Sequence, residues 1–295
     1  MFVSAIQEVA KFTRPLHIVT RNYNSNIAVP GSATLFFVNE LGVAITCKHV
    51  VDLLAKAAVI NSTYQNFKAE KAAIPKTKQY DRHLQDLEKK YQYSSNSIIE
   101  ILLNFINITS DNPINFKFIN HPTYDLSIII IQDFKNPLYS SHAVFSKDSS
   151  ALQQGKFLCR LGFPFPEFTN FEYVSSSDQL QWTTSGNVNS PQFPIEGMVT
   201  RHLRDATTIY GVELSTPGLK GQSGGPLFDN QSIVYGMQFL THHLHLGFDM
   251  KNYKIVSDGK PIKVNNQPFL HVGRCIHMDI IKEFLSQNQI RFYEK

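Results

Sequence analysis

A glycine-flanked serine stands in the segment GQSGGP, residues 221–226. A serine hydroxyl becomes a nucleophile once a neighbouring base removes its proton. Glycine permits backbone conformations that other residues resist, so the loop can turn its N–H groups toward one point. Converging N–H groups of this kind stabilise an oxyanion. The segment therefore predicts that Ser223 is a nucleophile, provided that the chain also supplies a base and an orienting acid.

A candidate base and a candidate acid each lie at the end of a predicted strand. His49 follows the β-prone run VAIT (43–46), where a strand gives way to a short helix. Asp125 directly precedes LSIIII (126–131), whose β-branched residues are typical of a buried strand. An imidazole that accepts a serine proton needs a carboxylate that holds its tautomer and stabilises its charge. We therefore predict that His49 is the general base, Asp125 its orienting acid and Ser223 the nucleophile.

Each of these three residues also has a purely structural interpretation. A single histidine is more often exposed or part of a core, an aspartate before a strand is commonly a turn residue, and a serine among glycines is commonly part of a hinge. The order His, Asp, Ser within a β-rich pattern nevertheless favours the catalytic interpretation, because three weak signals agree.

The elements that must position these residues are mostly strands. Residues 33–38 and 43–46 are β-prone and flank the turn NELG (39–42), which predicts a β-hairpin. Gly, Pro, Asn and Asp separate further β-prone runs at intervals typical of an all-β barrel or sandwich. Apolar residues at helical spacing predict a C-terminal helix over 278–285. The further strand candidates are 157–161, 179–184, 197–202, 209–214, 232–240 and 270–275.

Residues 60–105 depart from this strand pattern. Apolar residues recur at helical spacing from Tyr80 to Tyr91, with charged residues between them. This stripe predicts a surface helix that packs one side on the body of the protein, and a partner-binding helix is the alternative. The apolar stretch 98–106 fits either a helix or a strand, because periodicity alone does not distinguish them.

Five ordered parts of the chain carry a family resemblance. They are GSATLFFV (31–38) followed by ITCKHVV (45–51), YDLSII (124–129), GKF (155–157) followed by LGFP (161–164), EGMVT (196–200) and GLKGQSGGPL (218–227). These motifs resemble those of bacterial trypsin-like serine peptidases, including the protease domain of the HtrA type. They span roughly residues 30–240, interrupted by an unaligned stretch between His49 and Asp125.

The resemblance implies an all-β fold, a chymotrypsin-like double β-barrel with its site in the cleft between the barrels. We expect residues 1–145 to form the N-terminal barrel, with a helical insertion at about 52–105. Residues 146–295 are expected to form the C-terminal barrel and a C-terminal helix. The two barrels together would make one peptidase unit.

The resemblance also implies the chemistry of the site. Matched residue by residue, the family's triad falls on His49, Asp125 and Ser223. Its oxyanion hole would consist of the backbone N–H groups of Gly221 and Ser223. The expected activity is that of a serine endopeptidase, which cleaves protein substrates through an acyl-enzyme. A catalytically silent module that binds extended peptides by strand addition is the alternative, and an esterase is disfavoured because no alternating βα pattern is present.

Several departures from the family pattern bear on regulation and specificity. Gln222 stands where digestive trypsins carry an aspartate that pairs with a newly cut N-terminus, so that zymogen switch is not expected. No acidic residue lies between Thr216 and Gln222, which disfavours cleavage after Lys or Arg and favours small or apolar residues. The 52–105 insertion is longer than a barrel loop requires, so we expect it to gate the cleft, hold the enzyme latent or bind a regulatory partner. Too few residues follow the last predicted strand for a PDZ module.

Composition narrows the expected partners and compartment. The net charge of +4 is mild and the basic residues are scattered, so a nucleic-acid partner is not expected. No run of about 18 apolar residues occurs, which argues against a membrane span. Three widely spaced cysteines and an N-terminus without signal-peptide features favour a reduced, cytoplasmic location. The expected partner is a protein or peptide substrate, and no cofactor is expected.

A histidine cluster at 242–245 is the remaining candidate for chemistry. His243 and His245 would share one face of a strand, a spacing compatible with metal ligands. A third ligand is not apparent in the sequence. We therefore expect these histidines to be polar residues near the cleft or on a sheet face, and we expect no metal site.

Overall fold

The computed structural model describes residues 2–110, 114–257 and 259–295. Its helices are α1 (Val3–Ala10), α2 (Lys48–Ala72), α3 (Tyr80–Tyr91) and α4 (Met278–Gln287), with a 3-10 turn at Ser149–Ala151. Its strands are β1 (Thr13–Asn22), β2 (Ala28–Phe37), β3 (Val43–Thr46), β4 (Ile98–Phe105), β5 (Asn115–Asn120), β6 (Ser127–Gln132), β7 (Val144–Phe145), β8 (Phe157–Gly162), β9 (Phe171–Val174), β10 (Gln179–Trp182), β11 (Phe193–Asp205), β12 (Thr208–Leu214), β13 (Pro226–Phe228), β14 (Ile233–His245), β15 (Met250–Ser257), β16 (Lys260–Asn266), β17 (Phe269–His277) and β18 (Tyr293–Glu294).

Six antiparallel strands of the N-terminal half form one sheet, in the order β4-β1-β2-β3-β6-β5. The long strand β1 pairs with β2 on one side and with β4 on the other. The two outer strands approach each other. The ring of Phe105 on β4 stacks on the ring of Phe116 on β5, with their centroids 4.3 Å apart. The sheet therefore curls into a barrel whose seam is covered by side chains.

Six strands of the C-terminal half form a closed ring, in the order β13-β8-β11-β12-β17-β14, because β14 also pairs with β13. Closure gives each strand of the ring a neighbour on both sides. The short strands β7 and β18 extend the sheet beyond β14 by parallel pairing. Leu161, Val212 and Met237, from three strands of the ring, are completely buried in its core.

Together the sheets form the all-β, chymotrypsin-like double β-barrel that the resemblance implies, so the predicted fold class is confirmed. The predicted hairpin is β2–β3, and the six further strand candidates coincide with β8, β10, β11, β12, β14 and β17. The predicted C-terminal helix is α4, which buries Ile281 and Leu285. The division at residues 145 and 146 stays a prediction. The strand at that boundary, β7, pairs with β14.

Two helices interrupt the first barrel between β3 and β4. They occupy Lys48–Ala72 and Tyr80–Tyr91, and thus the first part of the expected 52–105 insertion. The sequence of the stretch 98–106 is compatible with a helix or a strand. In the structure it contains the strand β4, which pairs with β1 at one edge of the sheet. Helix α3 packs one side on the body, because Leu87 is its buried residue and joins an aromatic cluster with residues of α2.

A buried ion network ties α2 to the first barrel. Arg21 on β1 contacts Glu100 on β4 through Nε and Oε2 at 2.6 Å. The same guanidinium contacts Asp178, before β10, at 2.9 Å, and Tyr64 of α2 donates to the other Asp178 oxygen at 2.6 Å. Four elements that are distant in sequence therefore converge on one cation.

The three cysteines, Cys47, Cys159 and Cys275, are buried free thiols. None of the helices within the described ranges has both the length and the apolar character needed to cross a membrane.

Candidate active site

His49 and Asp125 meet because of the pairing between β3 and β6. The strand β3 ends at Thr46, and α2 begins two residues later, so His49 lies in the first turn of that helix. Thr46 pairs with Ser127 at the start of β6. This register brings Asp125, two residues before Ser127, beside the start of the helix.

The Asp125 carboxylate uses both of its oxygens on His49. The ring atom Nδ1 of His49 lies 2.7 Å from Oδ2, and the backbone N–H of His49 donates to Oδ1 at 3.0 Å. A carboxylate at Nδ1 favours the tautomer that carries its proton there and leaves Nε2 free to accept another. About half of the His49 side-chain surface remains exposed, so this nitrogen is accessible from the cleft.

Opposing effects set the charge of Asp125. Burial raises its pKa, but the hydrogen bonds from the ring and backbone N–H of His49 outweigh burial and leave the pKa below its ordinary value. The side chain therefore remains a carboxylate at neutral pH. It is suited to stabilising a positive charge on the imidazole.

Ser223 lies on the loop between β12 and β13, whose path requires two glycines with positive φ. Gly221 has φ +99°, and a Cβ placed there would lie 2.6 Å from Ser32 Oγ and 2.7 Å from the Phe163 carbonyl oxygen. Gly224 has φ +89°, and a Cβ there would lie 2.0 Å from the Thr34 carbonyl oxygen. Only glycine satisfies both the backbone conformation and the close approach.

A threonine of the first barrel holds this loop in place. The backbone N–H of Thr34 on β2 donates to the Ser223 carbonyl oxygen at 2.9 Å. Its hydroxyl donates to the Gly221 carbonyl oxygen at 2.8 Å. The serine loop of the second barrel is thus fixed to the barrel that supplies His49 and Asp125.

Within the segment 221–225, the N–H groups of Gly221 and Ser223 have no acceptor among the described residues. Their neighbours do have one: the N–H of Gln222 donates to Leu219, and that of Gly224 donates to Gln238. The free N–H groups belong to the two residues predicted to form an oxyanion hole.

Gln222 shapes the loop through neutral hydrogen bonds. Its side chain is buried; its Oε1 accepts from the Leu219 N–H at 3.1 Å, and its Nε2 donates to the Phe193 carbonyl oxygen at 3.0 Å. Both partners are internal backbone groups. This anchoring uses no chain terminus, and the absence of a zymogen switch stays a prediction.

His49 and Ser223 both line each of two adjoining chambers of the cleft. The polar chamber, of about 470 Å³, is lined by residues 218–220, 238–241 and His243. The apolar chamber, of about 300 Å³, is lined by β1, β2 and the start of α2, and Ile98 closes one side. Among the described residues, no hydrogen bond joins the Ser223 hydroxyl to His49. Such bonds are often long or misaligned in enzymes without substrate.

A buried arginine behind the polar chamber was not predicted. Arg160 on β8 donates from Nη1 to Gln238 Oε1 at 2.8 Å and from Nη2 to Thr216 Oγ1 at 2.6 Å. In front of it, Thr241 Oγ1 donates to the Gly218 carbonyl oxygen at 2.6 Å and joins the two walls of the chamber. The signal in the sequence was a lone arginine inside an apolar strand.

Within the described residues, one group of three side chains has metal-binding atoms within 4.8 Å of one another: Cys47, His49 and Asp125. Burial raises the pKa of the Cys47 thiol well above its ordinary value, so it stays protonated, and metals bind the thiolate. Of the two histidines considered earlier, His243 faces His271 with 2.5 Å between their Nδ1 atoms, and His245 binds Asp249 at 2.8 Å. These two histidines thus have separate partners.

Comparisons with known proteins agree with this architecture. A search of curated proteins gives no match. A scan against protein-family models matches the trypsin-like peptidase domain over residues 31–237, a stretch that contains His49, Asp125 and Ser223. Because this match covers more than half of the chain, the protein belongs to the family of trypsin-like peptidase domains.

Proposed function

We propose that this protein is a serine endopeptidase that cleaves protein substrates through His49, Asp125 and Ser223. One observation carries the proposal: the paired His49 and Asp125 share a cleft with Ser223, whose loop leaves two N–H groups free. Membership of the peptidase family supports it. The polar and apolar chambers on either side of Ser223 suit a chain that passes through the cleft.

The first half of the reaction follows from these positions. Nε2 of His49 takes the proton of the Ser223 hydroxyl while Oγ attacks the substrate carbonyl carbon. The carbonyl electron pair moves onto oxygen, and the N–H groups of Gly221 and Ser223 stabilise the resulting oxyanion. Asp125 stabilises the imidazolium that forms on His49.

The second half releases the two products. The oxyanion collapses, the bond between carbon and nitrogen breaks, and His49 transfers its Nε2 proton to the leaving amine. Water then enters, gives a proton to His49 and attacks the Ser223 ester. Collapse of the second oxyanion returns the proton to Ser223 Oγ and frees the new carboxyl end.

Hydrolysis of fluorescein-labelled casein by the wild type and by two variants tests the proposal. We expect turnover by the wild type at neutral pH, and a loss of at least about 10³-fold in Ser223→Ala and in His49→Ala. Circular dichroism would confirm that each variant is folded. Activity that survives Ser223→Ala in purified protein would contradict the assignment.

A peptide-binding module without catalysis is the second candidate, and one observation favours it. In the described residues no hydrogen bond links Ser223 to His49, so the pair requires a side-chain rotation before proton transfer. The two functions differ in their outcome with an unlabelled extended peptide. An enzyme gives two fragments, whereas a silent module gives saturable binding with the peptide intact, as measured by mass spectrometry and fluorescence anisotropy.

Regulation through the helices is a separate proposal. Leu53 and Ile98, at the two ends of the inserted segment, line the apolar chamber, whereas residues 54–97 line neither chamber. We infer that any control acts by shifting these two ends rather than by covering the cleft. A protease site introduced at 76–78 tests this. Cleavage there should leave casein hydrolysis within about twofold, and a large increase would show that the intact segment holds the enzyme latent.

A further inference from the structure

A long arm extends from the second barrel next to the cleft. The strands β14 and β17 pair as far as His245 and Phe269. Their other neighbours stop earlier, because β13 pairs with β14 up to Met237 and β12 pairs with β17 up to Gly273. The arm, described over residues 241–257 and 259–272, therefore leaves the barrel as a two-stranded ribbon and ends in the β15–β16 hairpin.

One face of this hairpin is apolar and uncovered. Tyr253 pairs with Val264, and Ile255 pairs with Ile262, so these four side chains share a face. Tyr253 is 55% exposed and Ile262 is 43% exposed. None of the four belongs to an apolar cluster of the described chain. Contiguous exposed apolar surface of this kind marks interaction sites in soluble proteins.

The hairpin also carries four lysines that form no ion pair with an acidic side chain of the described residues. Lys254 lies directly opposite Lys263, an arrangement of like charges that is unfavourable for an isolated hairpin. Lys251 and Lys260 flank this pair, and across the described residues no ion pair involves any of the four. The nearby Asp249 carboxylate is bound to a histidine of the arm. Because successive side chains of a strand point to opposite faces, Lys254 and Lys263 lie on the face opposite the apolar one. The hairpin therefore presents one positively charged face and one apolar face.

We propose that the arm is a docking surface for a segment of the protein substrate that combines acidic and apolar residues. The inference rests on the proposed endopeptidase function. It also rests on continuity with the cleft, because Thr241 and His243 at the base of the arm line the polar chamber with Ser223. A chain that leaves this chamber and pairs as a strand along an edge of the hairpin places alternate side chains on its two faces. Its carboxylates then meet Lys254 and Lys263, and its apolar side chains cover the apolar face.

Peptide binding to the full-length Ser223→Ala protein tests this partner without requiring catalysis. The probes are two labelled peptides of equal length, one alternating Glu with Leu and the other alternating Lys with Leu. We expect the acidic probe alone to bind, with an affinity that falls as salt rises. Adding Lys254→Glu and Lys263→Glu should weaken binding by at least about tenfold. The matched control adds Lys76→Glu and Lys78→Glu, on an exposed loop away from the arm, and should leave binding within about twofold.

A second pair of substitutions tests the apolar face. Ile255→Ser with Ile262→Ser should also weaken the acidic probe, while the thermal unfolding midpoint stays near that of the parent. Three results would overturn the proposal. They are an equal loss of peptide binding in the arm and control charge variants, equal binding of both probes, and binding only to phosphatidylserine vesicles. Failure of the endopeptidase function is recognised separately, by absent hydrolysis in the wild type while arm-dependent peptide binding persists.

Discussion

At the scale of single residues, the site depends on groups whose roles are set by their neighbours. Asp125 directs both oxygens to His49, and Thr34 holds the carbonyl groups of Gly221 and Ser223. Local motifs, their order in the chain and the family resemblance identified His49, Asp125 and Ser223 as candidates. The contribution of Thr34 was not predictable, because the contact joins residues that are almost two hundred positions apart.

Gly221 can be tested by adding one methyl group. In Gly221→Ala the new Cβ would strain a backbone with φ +99° and contact two fixed oxygens, so its N–H should turn away from the oxyanion. We expect kcat/KM for casein peptides to fall by about 10²–10³-fold. Gly155→Ala is the matched control, since Gly155 has φ +91° but nothing within 4 Å of the added atom. Full activity in Gly221→Ala would contradict the predicted oxyanion hole.

His17 makes the stability of the fold depend on pH. Burial lowers the pKa of His17 to about 4, below the value of about 6.5 expected in the unfolded chain. Between these values the unfolded state binds a proton that the folded state does not. The free energy of unfolding should therefore fall as pH decreases from about 6.5 to about 4, by up to about 3 kcal/mol, and this loss should be complete below pH 4.

Urea unfolding at several pH values measures this effect. His17→Gln should flatten the pH dependence, even if it lowers stability at neutral pH, because glutamine does not titrate in this range. His83→Gln, at an exposed position of α3, should leave the slope as it is in the parent. An unchanged slope in His17→Gln would show that His17 does not cause the pH dependence.

At the scale of elements, β-branched and apolar runs were sufficient to predict β3, β6 and five of the six strands in the ring of the second barrel, all except β13. The strand β1 was missed because Pro15, His17 and Arg21 interrupt its apolar pattern. The two polar side chains form hydrogen bonds with distant partners, Arg21 with Glu100 and His17 with Ser190. The residue pattern of one segment does not identify such distant partners.

The ion network around Arg21 should contribute strongly to stability. Glu100→Gln removes the charge that faces a guanidinium whose side chain is 3% exposed, so we expect a loss of about 3 kcal/mol in the free energy of unfolding. Glu70→Gln is the matched control, because the Glu70–Lys90 pair lies on the surface, where solvent screens it, and its loss should change the free energy of unfolding much less. Chemical denaturation measures both values. An equal loss of unfolding free energy in the two variants would contradict a larger contribution from the buried pair.

At the scale of the whole molecule, the site exists only where the two barrels meet. One barrel supplies His49 and Asp125, and the other supplies Ser223. The resemblance predicted this arrangement, but the wall of the polar chamber depends on contacts between distant parts of the second barrel. Arg160 on β8 contacts Gln238 on β14, and Thr241 on β14 contacts Gly218 on the loop after β12. That wall could not be derived from local patterns, since its contacts form only after the barrel closes.

The wall of the polar chamber predicts a preference for small side chains before the cleaved bond. The hydrogen bond between Thr241 and Gly218 joins two segments that line this chamber, and we expect this bridge to limit the entry of a large side chain. We expect substrates with Ala or Ser at this position to exceed those with Phe or Arg by at least about tenfold in kcat/KM. Sequencing the fragments of a mixed peptide library by mass spectrometry measures this. Thr241→Ala should admit larger side chains, and an unaltered profile in that variant would argue against the proposed wall.

The central claim is that His49 and Asp125 activate Ser223, and labelling with a fluorophosphonate probe tests it most directly. The wild type should form one covalent adduct at neutral pH, located on Ser223 by peptide mapping. Ser223→Ala should abolish labelling, and His49→Ala should slow it by at least about 10³-fold. A wild-type protein that forms no adduct, or a Ser223 adduct that forms as fast in His49→Ala, would contradict the account.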